Sequence, residues 1–121
     1  MINYEGPERR KSPRIEANFV VSYKIEEMPE GYDLSQTKNI SQGGLLITTN
    51  RGFEKGSFLT INIRIPFVPQ KIKLKGEVID SSERVRDLIY ETRVKFIGLD
   101  EAFFKKLGEF IQKTLGTEKE K

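Results

Sequence analysis

Phe58-Leu59-Thr60-Ile61-Asn62-Ile63-Arg64-Ile65 is the stretch from which the fold can be read. Leu59, Ile61, Ile63 and Ile65 fall on one side of an extended chain, and Thr60, Asn62 and Arg64 fall on the other. Such alternation marks a strand with one face in a core and one in water. The pattern recurs toward the C-terminus. After a loop bracketed by Pro66 and Pro69, residues 72–80 set Ile72, Leu74, Gly76 and Val78 against Lys73, Lys75 and Glu77. A glycine inside a strand, here Gly76, marks a bend or a close approach. Residues 88–96 then set Leu88, Tyr90, Val94 and Phe96 against Glu91, Arg93 and Lys95. Toward the N-terminus lie a short run at 45–49, a polar and weakly patterned one at 32–40, and a clean one at 19–26. In the last, Phe19, Val21, Tyr23 and Ile25 face inward. Turn signals separate the runs at Met28-Pro29-Glu30-Gly31, Asn50-Arg51-Gly52 and Lys55-Gly56. Six short strands without an intervening helix predict an antiparallel barrel or sandwich over 19–98.

The chain closes on a predicted helix over 99–116. Asp100 is placed as its N-cap, Glu101 suits the positive end of the dipole, and Leu99 with Phe104 fits a hydrophobic staple. Phe103, Leu107, Phe110 and Ile111 form one apolar stripe, expected to cover an open end or face of the barrel. Gly116 is placed to end the helix, leaving 117–121 as a frayed tail.

At 121 residues the chain is one domain, large enough to bury roughly two thirds of its unfolded surface. It contains no Cys and no His. Disulfides and thiolate metal sites are thereby excluded, and so are the commonest general base and the commonest zinc ligand. No window approaches the roughly 20 apolar residues of a membrane span, and the start Met1-Ile2-Asn3-Tyr4-Glu5 lacks a signal pattern. The expectation is a soluble, cytoplasmic protein that does not engage membranes.

Net charge is only +3, so the basic character is local. It sits in Glu8-Arg9-Arg10-Lys11-Ser12-Pro13-Arg14, where Pro13 steers Ser12 away from helix. This stretch makes residues 1–18 a flexible basic arm. Arginine supplies a rigid fork of donors for phosphate or a base edge, and a flat face that stacks on a ring. The hairpin made by 19–26 and 32–40 returns the chain to its start, which places Asn39-Ile40-Ser41-Gln42-Gly43-Gly44 beside residues 16–19. There Asn39 can read a base edge and Ser41 can meet a phosphate oxygen. Gly43 and Gly44 permit positive φ and close approach to backbone amides. Taken singly, the arm reads as a solvated basic tail and the second stretch as an ordinary glycine turn.

Taken together, Arg10-Lys11-Ser12-Pro13-Arg14 followed by Asn39-Ile40-Ser41-Gln42-Gly43-Gly44 resembles the paired signature of PilZ domains, RxxxR followed by D/N-x-S-x-x-G. Gly76-Glu77-Val78 in the fifth strand and Val94-Lys95-Phe96 ending the last strand agree with it, and the resemblance covers roughly residues 8–115. It implies a six-stranded antiparallel β-barrel that receives the bacterial second messenger cyclic di-GMP, with no other cofactor. By the same resemblance Arg10 and Arg14 grip the ligand, and Asn39, Ser41 and Gly44 occupy the fixed positions of the second motif, with Gly43 beside them. An added Arg9 is similar to the arrangement in members that hold a stacked dimer of ligand. Ligand binding would order the arm, and a downstream protein would read the changed surface. The chemistry is compatible: two phosphates and two guanines offer anionic oxygens, O6/N7 edges and flat rings, and a bidentate arginine–guanine pair is worth about 1–3 kcal/mol.

Three rivals stand beside this reading. A PilZ-like adaptor without nucleotide binding usually lacks the arginine motif, and both halves of the signature are intact here. A single-stranded nucleic-acid barrel would use the arm with Tyr23, Phe58 or Phe67 as stacking platforms, but those aromatics fall mostly on inward phases, so nucleic acid is disfavoured. An enzyme is disfavoured as well. Glu26/Glu27 face opposite ways on a strand, Asp100/Glu101 begin a helix, and no Gly-x-x-x-x-Gly-Lys loop is present.

Overall fold

A computed structural model describes residues 13–26, 31–66 and 68–119. Seven strands and one helix follow in order: β1 (Ile15–Glu16), β2 (Val20–Ile25), β3 (Asp33–Ile40), β4 (Gly44–Thr49), β5 (Phe58–Ile63), β6 (Ile72–Val85), β7 (Ile89–Ile97) and α1 (Glu101–Lys119). The sheet runs β3-β2-β5-β6-β7-β4, every pairing is antiparallel, and β4 pairs back onto β3. That last pairing closes a six-stranded barrel. The alternating phases read from the sequence are the barrel's two faces. Val21, Tyr23, Leu45, Ile47, Leu59, Ile61, Ile63, Ile65, Val78 and Val94 are buried inside. The stripe of α1 joins them, with Phe103, Leu107 and Ile111 buried and Phe110 packed on the cluster. Asp100 caps α1 as expected, its Oδ2 accepting from the Phe103 amide at 3.1 Å.

The interior also carries a short chain of hydroxyls. Thr49 Oγ1 donates to the Arg51 carbonyl at 2.8 Å. With its one proton spent, it accepts from Thr92 Oγ1 at 2.9 Å, and Thr92 in turn accepts from Ser81 Oγ at 2.8 Å. Thr49 and Thr92 are both buried, and neither hydroxyl is left without a partner. The Tyr23 phenol accepts from the Asn50 amide and donates to Asn50 Oδ1, both at 3.3 Å. Burial pushes its pKa upward.

Four details depart from the sequence reading. First, the end of the arm is part of the fold. Ile15 and Glu16 pair with Ile40 and Asn39, so β1 and β2 lie end to end along one edge of β3. Thr37 clamps the joint: its Oγ1 accepts from the Phe19 amide at 2.9 Å and donates to the Ala17 carbonyl. Ile15 is only 3% exposed, and burying such a side chain contributes about 1.5–3 kcal/mol. Second, β6 continues to Val85, making with β7 a hairpin that outruns the barrel. Leu88, expected inside, stands at its tip with 61% exposure because no layer lies over that end. Third, α1 continues through Gly116 to Lys119. Gly116 does not adopt positive φ, whereas Gly98 does (φ 61°) and turns the chain from β7 toward the helix. Fourth, Phe104 of the expected staple remains 43% exposed.

Candidate functional site

The outer face where β3, β4 and β7 meet carries a cleft of about 460 Å³. Arg14, Asn39, Ser41, Gly43, Gly44, Leu45, Ile79, Arg93, Val94 and Lys95 line it. Five of the seven residues singled out in the sequence are therefore brought together. Arg9 and Arg10 lie outside the described residues.

Strand register explains the assembly. Glu16, Asn39, Leu46, Arg93 and Asp80 pair successively across β1, β3, β4, β7 and β6, forming one row on the outer face. One step along, Gly44 pairs with Lys95. A Cβ on Gly44 would lie 2.0 Å from the Val94 carbonyl oxygen, so only glycine lets β4 and β7 approach this closely. The missing side chain also opens the floor of the cleft. Gly44 thus serves strand packing, and neither it nor Gly43 uses the positive φ that the sequence suggested.

Ser41 has a role in the turn itself. Its Oγ accepts from the amides of Gly43 (3.1 Å) and Gly44 (3.2 Å), and its own amide donates to the Gly44 carbonyl at 2.8 Å. The hydroxyl therefore holds the turn from within, and those two amides are spent on it rather than offered to an anion.

Asn39 is the opposite case. Its Oδ1 is buried and has no hydrogen-bond partner among the described residues. An acceptor in that condition costs about 1–3 kcal/mol if it stays unmet. It is suited to a donor arriving from outside.

Arg93 and Lys95 stand on the outward phase of β7, as the alternation predicts, and the β4–β7 pairing sets them beside the glycine motif. Among the described residues neither enters an ion pair, whereas Lys38, Lys75 and Arg84 do. Together with Arg14 they make the cleft cationic. A bulge in β6 between Val78 and Asp80 adds Ile79 to its wall.

Gln42, an unspecified position of the motif, ties the turn to the helix. Its Nε2 donates to the Phe104 carbonyl at 2.9 Å. A Cβ on Gly108 would lie 2.2 Å from the same nitrogen, so the amide rests where the helix has no side chain. Pro13 borders the same contact.

The cleft thus combines a cationic wall, an unpartnered acceptor and a glycine floor on the outside of a closed antiparallel barrel. The PilZ domain model matches residues 8–113, and the chain belongs to that family. No curated protein matches the sequence. Among solved structures, the Bacillus subtilis inhibitor of motility MotI/DgrA is 19% identical with a TM-score of 0.72, covering 90% of this chain and 53% of that one. The chain thus spans about half the length of that protein. The PilZ domain of Escherichia coli YcgR, solved with c-di-GMP, is 15% identical with a TM-score of 0.69, covering 93% and 96%. A tetrameric PilZ domain from Xanthomonas campestris is 8% identical with a TM-score of 0.67, covering 89% and 90%. At these identities the likeness establishes the six-stranded barrel with its C-terminal helix.

Proposed function

We propose that the cleft receives cyclic di-GMP and that the chain acts as a receptor rather than an enzyme. The observation that carries this reading is the buried, unpartnered Asn39 Oδ1 in a cleft walled by Arg14, Arg93 and Lys95. Guanine presents N1–H and N2–H₂ donors that answer such an acceptor, while its O6/N7 edge and the phosphates answer arginine. Lys95 adds a point charge for a phosphate oxygen. The c-di-GMP in the structure of the YcgR PilZ domain supports the same ligand class.

Arg10 and Arg9 complete the grip from the arm. Arg14 immediately precedes Ile15, which is fixed beside Ile40. Arg10 is four residues earlier, and an extended chain carries it at most about 14 Å from Arg14. Both therefore remain within reach of the cleft. The ligand's phosphates relieve repulsion among the arm's cations, and the arm folds onto the rim around its root at Ile15. A downstream protein reads the surface so formed. Arg9 supports a second, stacked ligand.

The nucleic-acid alternative loses ground. Of its stacking platforms, Tyr23 is buried in the core, Phe58 is exposed but does not line the cleft, and Phe67 lies outside the described residues.

The test is calorimetric titration with cyclic di-GMP, with GTP and linear pGpG as controls, on the native chain and on Arg10→Ala and Arg14→Ala. Saturable heat with the cyclic ligand alone, lost in both folded variants, establishes the receptor, and the molar ratio decides the role of Arg9. No heat from the folded native chain overturns the reading and leaves an adaptor that works by protein contact.

A further inference from the structure

The extended β6–β7 hairpin leaves a strand edge open. β5 pairs with β6 only up to Glu77, and the backbone of Gly56 and Ser57 adds bonds to Val78. From Ile79 to Val85, β6 pairs only with β7 among the described residues. The open edge reads Ile79-Asp80-Ser81-Ser82-Glu83-Arg84-Val85. Unpaired N–H and C=O groups along such an edge are a template for another strand, and charged residues ordinarily guard against it. Here the charges have a particular order: about Ser82, an acid on one side mirrors a base on the other, and an aliphatic residue mirrors an aliphatic residue.

We propose that this edge pairs antiparallel with the same edge of a second copy, centred on Ser82. In that register Ile79 faces Val85, Asp80 faces Arg84, Ser81 faces Glu83, and Ser82 faces itself. A two-fold axis repeats each unlike pair, as an isologous interface requires. Residues directly opposite across an antiparallel ladder share a face, and Asp80 and Arg84 comply, with bulges of β6 at Ile79 and Arg84 marking the two ends of the paired stretch. Asp80 is paired with Arg93 on the outer face, and Arg84 lies on that face too, its Nε donating to Glu91 Oε1 at 3.0 Å. Val85, 45% exposed, is covered in the pairing.

The charges select the register more than they hold it. Exposed ion pairs contribute about 0–1 kcal/mol. A slip one way sets Asp80 against Glu83, and a slip the other way sets Asp80 against Val85 and Arg84 against Ser81. Only the centred register satisfies both charges and both aliphatic ends. Seven residues of edge span about 24 Å, a small interface of the weak, reversible kind. It borders the ligand cleft, because Ile79 lines that cleft and Asp80 is the strand partner of Arg93. Arg84 of the second copy would meet Asp80 there and bring a further cation to the rim.

The test is sedimentation equilibrium of the full chain without nucleotide over about a hundredfold range of concentration, which resolves a two-decade span of dissociation constants. The native chain is expected to dimerise reversibly. Asp80→Arg and Arg84→Asp, each alone, set like charges opposite each other and should yield monomers. The double variant carrying both should recover the dimer, although it too has lost the Arg84–Glu91 contact. Amide exchange within 79–85 should slow as the native protein is concentrated, which reports the pairing without any substitution. A native monomer throughout, a dimer persisting in both single variants, or exchange independent of concentration would overturn the proposal. None of these outcomes depends on whether cyclic di-GMP binds.

Discussion

Two polar regions of this barrel treat their hydrogen bonds in opposite ways. Inside, Ser81, Thr92, Thr49 and the Arg51 carbonyl form a one-way chain in which Thr92 and Thr49 each donate once and accept once. On the outer face, Asn39 Oδ1 is shielded from solvent yet meets no described partner. The polar groups inside are satisfied by the fold, whereas Asn39 Oδ1 is left unmet by the described residues.

Gly44 serves both the packing of β4 on β7 and the cleft, and replacing it should damage both. Gly44→Ala drives a methyl into the Val94 carbonyl and should cost about 1–3 kcal/mol or more through overpacking. Thermal unfolding and titration should both register the loss. Thr92→Val separates the regions from the inside. It removes one donor and one acceptor of the hydroxyl chain and should cost about 1–3 kcal/mol, lowering the unfolding midpoint by roughly 5–10 °C. Affinity for cyclic di-GMP should be unchanged in the folded protein.

Asn39→Leu separates them from the outside, with the signs reversed. Removing a buried acceptor that has no described partner should leave the unfolding midpoint unchanged or raised. Affinity should fall about tenfold or more, because a guanine N–H then enters a buried site unmet. A large loss of stability in Asn39→Leu would place that side chain in the scaffold and dissolve the contrast.

The smallest effect concerns Glu91. The hydrogen bond from Lys38 (2.8 Å), together with that from Arg84, holds its carboxyl below the ordinary range. A depressed carboxylate stabilises the fold above its unfolded pKa and loses that contribution as pH falls through the folded one. Both cations are well exposed, so screening keeps the contribution below about 1 kcal/mol. Glu91→Gln should therefore melt slightly earlier than the native chain at neutral pH. The gap should close in acid, read by thermal scans across pH.

The barrel was legible because its buried strands alternate with period two, and Leu59, Ile61 and Ile63 could be assigned to the core by counting. The count failed at Leu88, which lies in the turn at the hairpin tip, outside β7 and beyond the barrel, with nothing to pack against. It failed also for Ile15, because two paired residues are too short to show a period. The motif residues were legible by type and spacing. Arg93 and Lys95 were not, since their place in the cleft depends on pairing between β4 and β7 across more than forty residues of sequence. Ser41 shows a role that residue type alone did not reveal: its hydroxyl accepts from two amides of the turn it closes.

The contact of Gln42 with the Phe104 carbonyl has an optical consequence. The chain has four tyrosines and no tryptophan, so its red-edge emission is dark. Phe104→Trp, at an already exposed position one carbonyl away from that amide, would introduce a solitary indole. Its colour would follow whether the signature turn is seated on the helix or has lifted away, turning a silent barrel into its own indicator.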